Sequence, residues 1–367
     1  MYNRYKSLIK SLIRNIPASF SLKPYSDLLF ISEGVNWVTS WEVRELAGII
    51  KKLGIHSRFS GPSPIGLPRQ SIFLASRYFV LAHPRRYLLG GNRIAFPYYH
   101  GYPESGDPIF VECYNNLMRF HRRISRIQVT HSRMHDLILS TGIDPTKVFL
   151  IPIGINMELF QKQTPETRKA MREKYCIPQH AVVIGSFQKD GNGWGEGYNP
   201  KMIKGPDVFL KTIRILKDSI PELFILLSGP ARGYVKKGLE DIKVPYKHIF
   251  MKDYPMISEL YQCLDLYIIP SRDEGGPKAV LESMASGIPL VTTRVGQAMD
   301  LVHHGENGWM VDVEDTEGLA YWTEKALTDT TTQQKLLLKG FKTTQSNSYD
   351  SQLRLWKDFF QGFIERY

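Results

Sequence analysis

Two glutamates, Glu274 and Glu282, stand eight positions apart in the stretch DEGGPKAVLE (residues 273–282), with Gly275, Gly276 and Pro277 between them. A glycine-rich turn running into a helix offers backbone N–H groups to an anion, whereas carboxylates repel one. A carboxylate instead accepts hydrogen bonds, and a vicinal diol can donate to both of its oxygens. Alone, the stretch has a second reading. Lys278 and Glu282 are four apart and can pair along one helix face, and an acidic residue near a helix start is stabilising by itself.

A second stretch, VIGSFQKDGNGWGEGYNPKMIKGPDVF (183–209), carries the opposite charge. Its apolar run ends at Gly185, Ser186 and Phe187, a Gly/Asn-rich loop follows, and Lys204-Gly205-Pro206 opens a helix. The positive end of that helix favours an anion, and Lys189 and Lys204 flank it. Alone, this too reads as a surface loop with solvated lysines. Together the two stretches divide the labour. Lysines and a helix start suit a diphosphate, while glycine N–H groups and two carboxylates suit hydroxyls on either side of it. A nucleotide sugar has that layout.

The elements around these stretches form an α/β pattern of parallel sheets, in which ligands bind beyond the carboxyl ends of strands. In the first half, DLLFIS, SIFLAS, RIAFPYY, RIQVTHS and KVFLIPI read as strands. SWEVRELAGIIKKLG and SRMHDLILSTG read as helices. The second half restarts the rhythm with strands AVVIGSF, LFILLSG, HIFMKD, LDLYIIPS, IPLVTTR and GWMVDV. Helices PDVFLKTIRILKDS, MISELYQCL and PKAVLESMASG lie between them. The expected division is residues 1–160 and 161–348, with an amphipathic helix over about 349–367 returning to the first domain.

The 367 residues carry a net charge of +11, unevenly spread. Residues 1–160 hold 20 Lys and Arg against 10 Asp and Glu; the remainder holds 27 against 26. The basic half is expected to meet something anionic: a membrane surface, an acidic glycan or a nucleic acid. No RNP-like motif or reader module supports nucleic acid. The N-terminal segment, with Leu8, Leu12 and Ile16 among Lys6, Lys10 and Arg14, fits either a monotopic amphipathic helix or one packed on the domain. No apolar run reaches the roughly 18 residues of a membrane span, and the N-terminus lacks a secretory pattern. Cys113, Cys176 and Cys263 form no CxxC pair and are expected as free thiols in a reducing, cytoplasmic setting, with peripheral membrane contact as a further expectation. His131 and His135 are four apart on an expected helix, but no third metal ligand is evident. FHRRISR (120–126) is a basic cluster, and Trp37 and Trp41 suit either core or an acceptor groove.

The stretch from Ser271 to Asp315 resembles the signature of retaining GT-B glycosyltransferases of the family 4 type, whose core is Glu-x7-Glu, here Glu274 and Glu282. IPIGINMELF resembles that family's inter-domain strand and turn, and the Lys204 stretch its phosphate-binding region. The similarity covers most of residues 125–320 and weakens over 1–95. It implies two Rossmann-like domains facing across a cleft. By it, Glu282 would hold the ribose hydroxyls, while Glu274 with the backbone of Gly275 and Gly276 would hold the donor sugar. Lys204 would hold the diphosphate. The family's arginine after the first strand is missing; Ser186 follows Gly185, and Lys189 takes that role. His100 in FPYYHGYP matches a histidine close to the donor sugar, and Gly34 a phosphate loop that usually has two glycines. Gly296-Gln297 and Asp300 stand for a later GG and acid. The implied reaction is transfer of a sugar, with retention and without a metal or other cofactor, from a nucleoside diphosphate sugar to a glycan or lipid-linked acceptor in envelope or surface polysaccharide synthesis. Other readings are a sugar-nucleotide epimerase of the same fold, and a nucleotide-sugar-binding protein without transferase activity.

Overall fold

The computed structural model describes residues 27–32, 38–60, 70–88 and 91–364. They divide into two compact units, one from residues up to Ile153 together with those from Tyr349 onward, the other from Gly154–Ser348. The N-terminal amphipathic segment, Gly34 and Trp37 lie outside the described residues.

The first unit contains β1 (Leu28–Ile31), β2 (Ser57–Ser60), β3 (Ser71–Leu74), β4 (Arg93–Pro97), β5 (Arg126–Val129) and β6 (Val148–Leu150). All pair in parallel, in the order β2-β1-β3-β4-β5-β6. Strands buried on both faces read as unbroken apolar runs, which is why β1 and β3 stand out in the sequence. The edge strand β2, SRFS, has no such run and escapes that reading. The helix Val38–Lys52 turns Val43, Leu46, Ile49 and Ile50 inward at helical spacing.

The chain's last described helix, Leu353–Phe360, folds with this unit. Trp356, Phe359, Phe360 and Phe363 pack with Phe30, Phe73 and Leu46. Arg126 fastens it, its Nε donating to the Phe359 carbonyl at 3.2 Å and its Nη2 to that of Gln361 at 3.0 Å. One member of the basic FHRRISR cluster is therefore structural, while Arg122 and Arg123 stay exposed.

The second unit contains β7 (Val182–Phe187), β8 (Leu223–Ser228), β9 (Tyr246–His248), β10 (Leu266–Ile269), β11 (Leu290–Thr293) and β12 (Trp309–Val311). The order β12-β11-β10-β7-β8-β9 is again parallel. Counted from β7, this is the doubly wound Rossmann arrangement, with its switch point between β7 and β10. The chain leaves those two neighbouring strands in opposite winding directions, the arrangement in which ligands bind at strand carboxyl ends. The loops after them are the two stretches on which the sequence reading rests.

Some boundaries differ from expectation. The division falls at Ile153/Gly154 rather than 160/161. The Ile155 amide donates to the Asn347 carbonyl, and Phe160 packs against Tyr254 and Tyr261. Residues 246–248, not HIFMKD, form β9, because pairing with Ile225–Leu227 of β8 sets its register. Phe250 beyond it is exposed. Among the described residues, no helix is long and apolar enough to cross a membrane.

Candidate functional site

The helix Pro206–Ser219 starts where the carboxyl end of β10 ends. Gly205 makes that contact possible. It has φ +63°, and a Cβ there would lie 2.0 Å from the Pro270 carbonyl oxygen. Only glycine suits both the left-handed backbone and the close approach. The Arg272 and Asp273 amides donate to the Ile203 carbonyl at 2.8 and 3.1 Å, zipping the loop after β10 to the turn before the helix. Arg272 adds a bidentate pair with Asp207 at 2.7 and 2.8 Å and reaches Glu314 at 2.6 Å.

This zipper joins residues 70 positions apart. Lys204 Nζ lies 2.5 Å from Glu274 Oε2, with side chains 22% and 12% exposed. Ser271 Oγ donates to the other Glu274 oxygen at 2.9 Å. The diphosphate candidate and the hydroxyl candidate thus touch.

Two further amines join Lys204. Lys201 lies three residues before it across the 3-10 turn Met202–Lys204, a spacing that puts side chains on one face. Burial lowers the Lys201 pKa, and the Lys204 and Lys189 charges lower it further, against Glu274 and Asp273. Burial also lowers that of Lys189, whose ammonium stands 4.5 Å over the Trp194 ring. The helix start differs from the expected open anion site. Asp207 occupies it: its carboxyl is held below the usual range first by Arg272, and also by the N–H groups of residues 207 and 208.

The Gly-rich loop is docked. A Cβ on Gly191 or Gly197 would come within 2.4 or 2.1 Å of the Ala231 carbonyl oxygen. The Gly233 and Tyr234 amides donate to the Glu196 and Gly197 carbonyls at 2.7 and 2.9 Å. Beneath it, buried Arg232 donates to the carbonyls of Ser186, Gln188 and Ser228 at 2.6, 3.0 and 2.8 Å, and to Ser186 Oγ at 3.0 Å. Its charge faces buried Asp190 at 3.0 Å. Burial raises the Asp190 pKa, which Arg232 opposes. An arginine therefore does reach the end of β7, from the loop after β8, and it turns Ser186 inward.

Glu282 lies on the helix Ala279–Ala285, which begins two residues later than Pro277. Its carboxylate is buried and accepts from two phenols: Tyr254 Oη at Oε1, and Tyr261 Oη at Oε2 at 2.9 Å. Lys278 Nζ stands 4.7 Å over the Tyr254 ring. Gly275 and Gly276 follow Glu274; the Gln297 amide donates to the Gly275 carbonyl at 3.0 Å. Gly296 (φ +49°) presses on the carbonyls of Glu274 and Gly275, where a Cβ would come within 2.6 Å. Within the second unit Lys204 pairs with Glu274, and Lys201 is close enough to feel the charges of Lys204, Lys189 and Glu274, whereas Glu282 bonds Tyr254 and Tyr261 and Ser186 bonds Arg232.

His100 belongs to the first unit, after β4, edge-on to Phe110 at 5.5 Å. His131 caps the helix Ser132–Leu139, its Nδ1 accepting from the Met134 amide at 3.3 Å. Sequence reasoning missed Lys201, Arg232, Asp190, Tyr254 and Tyr261. The three-residue spacing from Lys204 was a signal for Lys201; the others needed the strand order.

Residues 200–342 match the family described as "Glycosyl transferases group 1". A D-inositol 3-phosphate glycosyltransferase of Corynebacterium diphtheriae is 28% identical over 220 residues, 56% of this chain and 48% of the relative. An N-acetyl-alpha-D-glucosaminyl L-malate synthase of Bacillus anthracis is 26% identical over 211 residues, 56% of this chain and 51% of the relative. The chain spans about half the length of the curated relatives it matches. The structure of Anabaena HepE with UDP-glucose superimposes with TM-score 0.73 at 15% identity, over 91% of this chain and 99% of that one. Sucrose-phosphate synthase of Thermosynechococcus elongatus gives 0.71 at 13% identity, over 93% and 100%. The chain has the GT-B fold, and residues 200–342 of its second unit match the group 1 glycosyltransferases.

Proposed function

We propose that this protein is a glycosyltransferase that moves a sugar from a nucleoside diphosphate donor to an acceptor with retention of anomeric configuration. The observation that carries the reading is the meeting of Lys204 and Glu274 at the β7/β10 switch point, with Lys201 and Lys189 beside them. The lysines would stabilise the charge that develops on the departing diphosphate. Glu274 would accept from donor-sugar hydroxyls, and Glu282 from the ribose diol. On a front-side path, the acceptor oxygen bonds to the anomeric carbon as its bond to the phosphate oxygen breaks on the same face. The leaving phosphate oxygen takes the acceptor proton. No metal enters this reading, because the lysines would carry the countercharge. His100 keeps the donor-sugar role that the family resemblance implies.

UDP is the first donor nucleotide to test, since HepE was solved with UDP-glucose. We place an anionic acceptor with the basic first unit. The names of two relatives contain an inositol phosphate and a malate, both anionic. A glycan or lipid-linked acceptor in envelope or surface polysaccharide synthesis, met at the inner face of a membrane, completes the proposal.

Equilibrium binding of UDP and other nucleoside diphosphates tests the donor site. Glu282→Gln is expected to weaken the preferred nucleotide by about tenfold, the worth of one charge-assisted hydrogen bond. Equal affinity in both proteins would remove the ribose assignment. The anomeric proton coupling of the product then reports retention or inversion.

A further inference from the structure

We propose that Tyr254 is a specificity-determining positioning residue: it orients Glu282 so that the carboxylate reads the 2′,3′-diol of a ribonucleotide. The inference rests on the donor-site reading above and adds a residue and a selectivity to it.

A carboxylate presents about four acceptor positions around two oxygens. Gripping a diol uses two of them, and only if the carboxylate plane is fixed. Glu282 has one phenol on each oxygen: Tyr254 on Oε1 and Tyr261 on Oε2. The two phenols are held differently. Tyr261 is fully buried, stacked on Tyr267 at 5.4 Å and edge-on to Phe187 and Phe160 at 5.2 and 5.8 Å. Burial and the Glu282 charge push its pKa well above the ordinary value, so it stays a donor. It is a fixed hinge point for Oε2.

Tyr254 is half-buried and begins the 3-10 turn Tyr254–Met256, after the exposed segment that follows β9. Its ring touches Phe160, at 6.2 Å and 54°, and carries the Lys278 ammonium at 4.7 Å. Those contacts aim its hydroxyl at Oε1. The second phenol adds a hold on Oε1 to the one Tyr261 gives Oε2, and a hold on each oxygen sets the plane of the carboxylate. Tyr254 acts through Glu282 and needs no contact with the nucleotide.

The test is calorimetric binding of UDP and 2′-deoxy-UDP, and of GDP and 2′-deoxy-GDP, to wild type, Tyr254→Phe and Glu282→Gln. Wild type is expected to prefer the ribonucleotide by roughly 10- to 100-fold, the span of a hydrogen bond to a charged group. Tyr254→Phe keeps the ring and the Lys278 contact and removes only the hydroxyl. It should lower the ribo-over-deoxy ratio at least threefold while leaving deoxynucleotide affinity within twofold. An unchanged ratio overturns the proposal, as does an equal loss for both nucleotides, which would make Tyr254 a general contact. Insensitivity of ribonucleotide binding to Glu282→Gln overturns the donor-site reading itself. Thermal melting of each variant, expected within a few degrees of wild type, separates these outcomes from misfolding.

Discussion

Removing the Lys204 ammonium should separate the structural worth of the Lys204–Glu274 pair from its catalytic worth. In Lys204→Met, Glu274 keeps only the Ser271 hydroxyl at 2.9 Å while 88% of its side chain remains out of contact with solvent, its exposure being 12%. A hydrogen bond to a charged group contributes about 1.5–3 kcal/mol, and leaving one partner buried costs a similar amount. Relief of repulsion with Lys201 and Lys189 offsets part of this, so the expected loss of stability is about 1–2 kcal/mol. Glu274→Gln should cost about 1 kcal/mol, and the double variant less than the two together by about 1 kcal/mol, since the partners touch. Urea unfolding at constant m reads all three. Turnover should respond on another scale. An ammonium aimed at a leaving group contributes roughly 10²–10³-fold, so nucleoside diphosphate release by Lys204→Met should fall by that factor with a smaller change in KM. If the variant loses the stated stability but turns over within about threefold of wild type, the pair is a loop fastener and the catalytic argument fails.

Gly205→Ala should cost at least about 2 kcal/mol, combining left-handed strain with displacement of the Pro270 carbonyl 2.0 Å away, and melting would show it. For Lys201 the depressed pKa fixes the sign of a pH effect. Below that pKa the amine is charged and attracts a diphosphate; above it the charge is lost while an ordinary lysine, near pKa 10.4, keeps it. Nucleotide affinity should therefore fall with rising pH before the ordinary lysine range is reached, and Lys201→Met should shrink that fall, the remainder belonging to Lys189, whose pKa burial also lowers. Asp207 has the opposite sense. Its folded pKa lies below the unfolded value of about 3.9, so its contribution is present above about pH 4 and lost as pH falls through the folded pKa. Asp207→Asn should lower the melting temperature at neutral pH and shrink the difference from wild type in acid. His100→Ala should reduce turnover more than tenfold if the histidine positions the donor sugar; unchanged turnover removes it from the reaction.

Much of the second unit was legible because its signals are local. The helix PDVFLKTIRILKDS occupies Pro206–Ser219, since Gly-Pro sets its start and the apolar spacing its face. β8 and β10 are almost unbroken apolar runs, as strands buried on both faces tend to be. What stayed hidden depends on strand order. Nothing near Ser186 announces that Arg232, 46 positions later, will bond its hydroxyl; that follows from β7 and β8 being neighbours. The two phenols on Glu282 come from a turn and a helix whose apolar residues look like ordinary core. The Gly-rich loop reads as solvated because its tight packing on Ala231 involves backbone atoms, which leave no side-chain pattern. The break between HIFMKD and the true β9 has a similar cause: an edge strand takes its register from its neighbour, so apolar residues beyond it mislead.

The most direct test of the central claim is nucleoside diphosphate release from a panel of donor sugars, with and without anionic and lipid-linked acceptors, by wild type and Glu274→Gln. The account predicts acceptor-dependent release with one donor in wild type, and a loss of about two orders of magnitude or more in the variant. Failure of every donor to give release, or undiminished release by Glu274→Gln, would contradict it.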